Sequence, residues 1–503
     1  MRDRALILSV LIVASCGLGY ELISSALASY LLGDSILQFS SVIGCYLFAM
    51  GIGSWASRYV EDEDVLDRFV DLEMLIGLVG GASAAVLFII FAWVSTPFRT
   101  SLYVMVFVLG LMVGMEIPLV MRIFNRRRTE FRELVSRVLA FDYLGALVVS
   151  LVFPLVLAPY LGLLRTAFLF GLSNTAVALW TAMAFREELS RPRLQLTRGV
   201  LVMALLCTGL AFSGRMTAWA ERGIYGDEIV HAESTPFQRL VVTRWQDDLR
   251  LYINGNLQFS SRDEHRYHEA LVHPGLQALP HARRVLVLGG GDGLAVREIL
   301  KSKSVEHVTL VDLDPAMTGM FSTSPELLAL NRGSLKDRRV TVVNDDAGRW
   351  LEANTGMYDF IVVDFPDPSN FGIGRLYSVP MFRLMARHLS ANGYMVVQST
   401  SPYYAPRSFW SIDATLREAG LNTWAYHCDV PSFGDWGFLL AGHRRDYAVP
   451  VALSVPTRFL TPDAMRDLFV FPKDMPRLAM PANRLDEQTL VRYFDEDWRR
   501  VIR

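Results

Sequence analysis

The chain has 503 residues, 52% of them hydrophobic and 20% charged, with a formal net charge of −2. That length suits two or three domains, and so small a charged share excludes both a disordered chain and an ordinary soluble enzyme throughout. The near-zero charge excludes a nucleic-acid binder relying on bulk positive charge. Four cysteines do not make a disulfide framework in a chain this long, and no C-x-x-C or Cys/His cluster marks a metal site.

The composition changes near Ser213–Gly214. Residues 1–213 alternate apolar runs with short charged links. Seven runs approach the ~20 residues that a spanning helix needs: 5–32, 36–57, 72–94, 101–123, 138–160, 163–185 and 199–213. The first is too long for a signal-peptide core and lacks a convincing cleavage site. The last is short: fifteen helical residues rise about 22 Å.

Arginine placement orients the runs. Arg2, Arg4, Arg58, Arg68, Arg122, Arg126, Arg127, Arg128, Arg132, Arg137, Arg186, Arg191, Arg193 and Arg198 occupy one set of links, and only Arg99 and Arg165 the other. The expectation is a multi-pass protein of the plasma membrane with a cytoplasmic N-terminus. Seven true spans place residues 214–503 outside the cytoplasm. Six spans and an interfacial seventh segment keep them inside. Three acids lie within apolar runs, Glu21, Glu116 and Asp142. They read either as a cation site between helices or as interhelical hydrogen-bonding groups.

Residues 214–503 read as a soluble α/β protein. Val285–Leu288 is a short apolar run suited to a buried parallel strand. The turn Gly289-Gly-Gly-Asp292-Gly293 follows, and then a helix from Leu294. Further strands are predicted at 308–312, ending in Asp312, at 340–343, ending in Asp345-Asp346, at 360–363, ending in Asp364, and at 394–398. This alternation predicts a doubly wound, mostly parallel sheet. Its ligand site lies at the carboxyl ends of the strands, where Asp292, Asp312, Asp346 and Asp364 gather. An acid about 20 residues beyond the glycine turn suits ribose hydroxyls. So many acids repel a phosphate-rich ligand and suit a cationic one. Asp314 is left open as a surface residue or a helix cap.

A set of motifs then stands out: Thr235-Pro-Phe-Gln238, Leu251-Tyr-Ile-Asn254-Gly255, Gln258, Asp263-Glu264, Tyr267-His268-Glu269, the Gly289–Gly293 loop, Asp345-Asp346-Ala347 and Asp364-Phe-Pro-Asp367-Pro368. In order and spacing, residues 221–445 resemble the spermidine synthases, the polyamine aminopropyltransferases, and in particular their membrane-fused bacterial forms. The resemblance implies an enzyme that transfers an aminopropyl group from decarboxylated S-adenosylmethionine to a diamine, usually putrescine, giving spermidine and methylthioadenosine. It implies no prosthetic group. It also implies a small β-domain before a Rossmann-like, methyltransferase-type sheet.

By the same resemblance, Asp364 is the catalytic base. Gln238, Gly289, Asp292, Asp312, Asp346 and Ala347 bind the cosubstrate. Tyr267, His268 and Asp367 bind the acceptor amine with Asp364, and Tyr377 borders its pocket. The chain departs from the family pattern at Asn254, Ala347, Ser369-Asn370-Phe371 and Phe433, mostly on the acceptor side, which leaves the amine open. The partners expected are a small diamine and the lipid bilayer, with no nucleic acid. Dimers and tetramers are common in that family, so a homo-oligomer stays open.

The resulting division is an all-α transmembrane bundle (1–213), a small β-rich part (214–283), a Rossmann-like domain (284–445) and a tail with solvated helices and a charged end (446–503). Two rival readings remain. One is a methyltransferase using S-adenosylmethionine, whose carboxylate Asp292 would repel. The other is a polyamine transporter or sensor with an enzyme-like binding domain.

Overall fold

A computed structural model describes residues 2–32, 36–93, 98–125 and 131–501. Arg126, Arg127, Arg128 and Arg503 lie outside the described residues. The chain forms two compact units, Met1–Ile229 and Val230–Arg503.

Among its described residues the first unit is built of helices up to Tyr225: α1 (Arg2–Leu32), α2 (Ile36–Ala56), α3 (Val65–Trp93), α4 (Phe98–Asn125), α5 (Phe131–Val152), α6 (Gly162–Ala184) and α7 (Pro192–Tyr225). Small residues allow close approach between apolar helices. A Cβ on Gly171 of α6 would strike the backbone of Gly77 and Gly81 on α3. Outward positions such as Leu47, Phe48, Leu147, Leu151, Leu201 and Leu205 are exposed and apolar.

Among the described residues, six helical runs are long and apolar enough to cross a membrane. One of them, 135–184, joins the fifth and sixth expected spans. Between them lies a widened helical stretch, Phe153–Leu161, interrupted by Pro159 and followed by Gly162 at φ 76°. The run doubles back there. Gly145 of α5 accepts a hydrogen bond from Ser15 of α1, while Phe170 of α6 accepts one from Cys16, the next residue of α1. A straight helix would separate Gly145 from Phe170 by about 37 Å.

The expected short segment 199–213 is part of α7, a 34-residue helix. Helical structure therefore continues through 214–225, where the β-rich part was expected to begin. α7 runs alongside α3 in the same direction: Gly199 faces Met74, Leu206 faces Gly81, and Gly223 faces Trp93. Trp219 stacks on Trp93 at 5.0 Å.

The second unit opens with a four-stranded sheet, β1 (Glu228–Ser234), β2 (Arg239–Trp245), β3 (Asp248–Ile253) and β4 (Asn256–Ser260), in that spatial order. Asn254 and Gly255, both at positive φ, form the two-residue turn of the β3–β4 hairpin, a position suited to Asn-Gly. The departure at Asn254 therefore lies in a turn. α8 (Glu264–Leu276) leads into a seven-stranded sheet.

Its strands are β5 (Arg284–Gly289), β6 (His307–Asp312), β7 (Val340–Asn344), β8 (Tyr358–Asp364), β9 (Leu389–Gln398), β10 (Asn422–Val430) and β11 (Gly434–Gly442). The spatial order is β10-β11-β9-β8-β5-β6-β7. β5 to β9 are parallel, and β10 and β11 form an antiparallel hairpin against β9. Helices cover both faces, so central strands are apolar throughout. Val285 and Val287 join one core, and Leu286 and Leu288 the other. The chain moves outward from β5 through β6 and β7, then returns to β8 on the other side of β5. That reversal opens a crevice at the strand ends of β5 and β8, the usual ligand position.

The tail does not stand apart in solvent as expected. Leu460, Met465 and Leu490 are buried, because they complete the two cores. Asp497 is buried and pairs with Arg407, which also holds Glu496. Buried Glu269 on α8 accepts the backbone N–H groups of Arg458, Phe459 and Leu460. A buried donor stripped of its acceptor costs about 1–3 kcal/mol. Glu269→Leu should therefore lower the unfolding midpoint of the second unit by on the order of 5–10 °C, read by thermal unfolding of the full chain in detergent.

Candidate active site

The glycine turn connects β5 to the helix α9 (Leu294–Ile299). Gly289, at φ 79°, lets the turn pass against Asp364, whose carbonyl a Cβ would strike. A Cβ on Gly291 would strike the Asp312 carboxyl. These contacts bring the ends of β5, β6 and β8 together.

Asp364 ends β8 and accepts a 2.6 Å hydrogen bond from the Tyr267 hydroxyl of α8. Burial pushes its carboxyl up to about 6; nearby His268 pulls it down and Asp292 adds to the rise. Burial also raises Asp292, with His268 again opposing. Asp292 Oδ1 accepts the Leu294 N–H at the start of α9.

Behind these acids lies a buried ionic group that sequence reasoning did not assemble. Glu264 and His268 are one turn apart on α8, and Glu264 Oε2 lies 2.9 Å from His268 Nδ1. Arg297 of α9 grips both oxygens of Glu264 at 2.9 and 2.8 Å. Burial opposes ionisation of Glu264, but hydrogen bonds from His268 and Arg297 hold it down at about 2. Burial likewise opposes charge on His268, yet Glu264 holds its pKa above the ordinary value. The i,i+4 pair was legible; Arg297 carried no local signal, because only the packing of α9 on α8 brings it there.

Asp312 accepts the N–H groups of Gly291 and Asp314 at 3.0 and 2.9 Å. Burial still pushes it up to about 6. Asp314 is buried and caps the helix α10 (Pro315–Thr323) through Ala316 N–H. It is a cap, then, and no surface residue. Its second oxygen accepts from Thr235 and from Gln238 Nε2, which fixes Gln238 beside the end of β6. Asp346 follows edge strand β7, next to Asp345, whose N–H donates to the Asp312 carbonyl. It caps the helix Ala347–Ala353 through Arg349 N–H and pairs with Arg375 at 2.7 Å.

Asp367 follows β8, and burial pushes it up to about 7 against a hydrogen bond from Gln398. Tyr377 is fully buried and donates to the carbonyls of Phe365 and Pro366, bracing the loop between Asp364 and Asp367. Gln398 Nε2 donates to Phe365 O and to the Tyr377 hydroxyl, and its Oε1 accepts from Trp436. Phe433 packs on Tyr267 and Trp436 at 6.2 and 5.4 Å. Ser432, beside it, donates from its N–H and hydroxyl to Asp263. Gln398, Trp436 and Asp263 thus support the site without having been singled out as its members.

Among the described residues, Asp292, Asp312, Asp364 and Asp367 form no salt bridge, and no His/Cys/Asp/Glu group of metal-binding geometry is present. The arrangement suits cationic ligands.

Residues 264–449 match the spermine/spermidine synthase domain. The whole chain is 64% identical over 506 residues to polyamine aminopropyltransferase 2 of Ralstonia nicotianae, covering 100% of this chain and 99% of that one. The chain belongs to the polyamine aminopropyltransferases. The polyamine aminopropyltransferase of Leptospira interrogans is 47% identical over 99% of this chain and all of its own. That of Mycobacterium tuberculosis is 38% identical over 99% and 97%. A solved spermidine synthase in complex with the transition-state analogue AdoDATO superposes with a TM-score of 0.46 and 21% identity, over 49% of this chain and 88% of that one. This aminopropyltransferase is thus an enzyme whose relatives share its full length, helical unit included.

Removing one partner of a buried ion pair costs about 3–5 kcal/mol. Arg297→Met should therefore destabilise the second unit by about that much and lower kcat/KM, as read by thermal unfolding and product release.

Proposed function

We propose that this aminopropyltransferase moves the aminopropyl group of decarboxylated S-adenosylmethionine onto putrescine, giving spermidine and methylthioadenosine. The observation that carries this reading is the set of recessed carboxylates, Asp292, Asp312, Asp364 and Asp367, without a salt-bridge partner. Both reactants are cations and would supply the missing positive charge. Asp292 holds the aminopropyl ammonium. Asp312 keeps lone pairs free beside its two backbone donors and receives the ribose hydroxyls. Gln238 and Gly289 border the nucleoside, and Asp346 with the Ala347 N–H takes the adenine. Tyr267, His268 and Asp367 position the diamine, Asp367 at its far end.

The amine lone pair attacks the carbon next to the sulfonium, the C–S electron pair passes to sulfur, and the amine proton passes to Asp364. A base of this kind contributes about 10²–10⁴ in rate. Asp364→Asn should lower kcat for methylthioadenosine release by about that factor; a loss of less than tenfold would overturn the assignment. The base acts ionised, so kcat/KM for the amine should rise with pH through about 6 to 7, where Asp364 and Asp367 lose their protons, and level off above.

We further infer that the helical unit lies in the plasma membrane with its arginine-rich links in the cytoplasm, and that it crosses seven times. The reversal at Gly162 supports counting α5 and α6 as two crossings, and α7 accompanies α3 along its length, ending where α3 ends. The second unit follows α7 and so emerges on the arginine-poor, outer face. A membrane-impermeant maleimide applied to intact cells should label Lys303→Cys in an otherwise cysteine-free chain, and Glu187→Cys only after lysis. The reverse pattern would overturn the topology.

A further inference from the structure

The helical unit holds a second group of acids that the transfer reaction does not use. Glu73 of α3 was not singled out from the sequence, because it sits at the edge of an apolar run. It is fully buried, and Glu116 of α4 is 3% exposed. Glu73 Oε2 accepts from Asn174 Nδ2 of α6 at 3.0 Å. Glu73 Oε1, Glu116 Oε1, Asn174 Oδ1 and the Tyr20 hydroxyl of α1 are all buried without a hydrogen-bond partner. Glu73 and Glu116 are near enough for their charges to interact, and Tyr20 lies within reach of both. Of Glu21 and Asp142, expected to act with Glu116, Asp142 lies within electrostatic range of Glu116, and Glu21 within that of Tyr46.

Among the described residues, Glu73 and Glu116 have no basic side chain as partner. Residues 1–213 contain neither Lys nor His, and their arginines fall in links and near helix ends. Unpartnered polar groups inside an apolar bundle are costly and mark functional sites. Three acceptor oxygens remain open, from Glu73, Glu116 and Asn174. A primary ammonium carries three N–H donors and one positive charge. We infer that α1, α3, α4 and α6 enclose a binding site for the primary ammonium end of a polyamine, separate from the transfer site. The choice of a polyamine rests on the proposed reaction; the site itself does not.

The test is equilibrium binding of radiolabelled spermidine to the full chain in nanodiscs, without cosubstrate. Asp364→Asn should retain a saturable site. The Glu73→Gln/Glu116→Gln pair should weaken that site by on the order of a hundredfold, while releasing methylthioadenosine at near wild-type rate, which also reports an intact fold. Unchanged spermidine binding in the pair would overturn the proposal. So would loss of all binding in Asp364→Asn, or occupancy by radioactive sodium with no spermidine bound. Absent turnover with spermidine binding intact would instead count against the proposed reaction alone.

Discussion

A carboxylate taken out of water costs several kcal/mol unless hydrogen bonds or a countercharge replace its hydration. The strand ends of the second unit hold four of them, Asp292, Asp312, Asp364 and Asp367. Much of the surrounding structure answers that cost in part and leaves the remainder to a ligand. Backbone N–H groups serve Asp292 and Asp312, and the Tyr267 hydroxyl serves Asp364. Among the described residues no side chain forms a salt bridge with them, and burial keeps Asp364 and Asp367 near the range where a carboxyl both takes and releases a proton at neutral pH.

The fixed charge sits one layer back. Arg297 and Glu264 form a forked pair, and His268 projects from it toward the acids. A cation placed directly on Asp364 would occupy the place of the amine. One held behind Glu264 orients His268 without blocking the crevice. Tyr377 and Gln398 perform the matching task for the backbone, tying down the loop between Asp364 and Asp367 through its carbonyls. Reacting groups need such support because small misplacements cost rate.

The helical unit meets the same problem in an apolar setting. Among the described residues, Glu73 takes one side-chain donor and Glu116 Oε1 takes none, so their cost is higher and the case for an exogenous cation correspondingly stronger. Glycines at helix contacts permit this packing. They bring α3 and α6 close enough for Asn174 to reach Glu73.

Much of this was legible in the sequence. Apolar run length gave the helices of the first unit. Apolar strands ending in Gly289–Gly293, Asp312 and Asp364 gave the parallel sheet and the position of its crevice, since strand polarity and helix cover fix both. The motif order named the family. The sequence could not give what depends on contacts between distant segments. Arg297 meets Glu264 only after α8 and α9 pack. Asp314 turns inward only because Thr235 and Gln238 reach it. The tail is buried because Glu269 captures it, and the β10–β11 hairpin lies against β9 because that edge needs a partner. The short apolar run at 199–213 looked insufficient to span, since hydropathy counts only apolar residues, whereas packing along α3 carries the helix through polar residues to Tyr225. Local pattern determines which elements form and which face is apolar. Tertiary structure decides which charges meet, because the energy of a buried carboxylate is set by neighbours that sequence separation does not reveal.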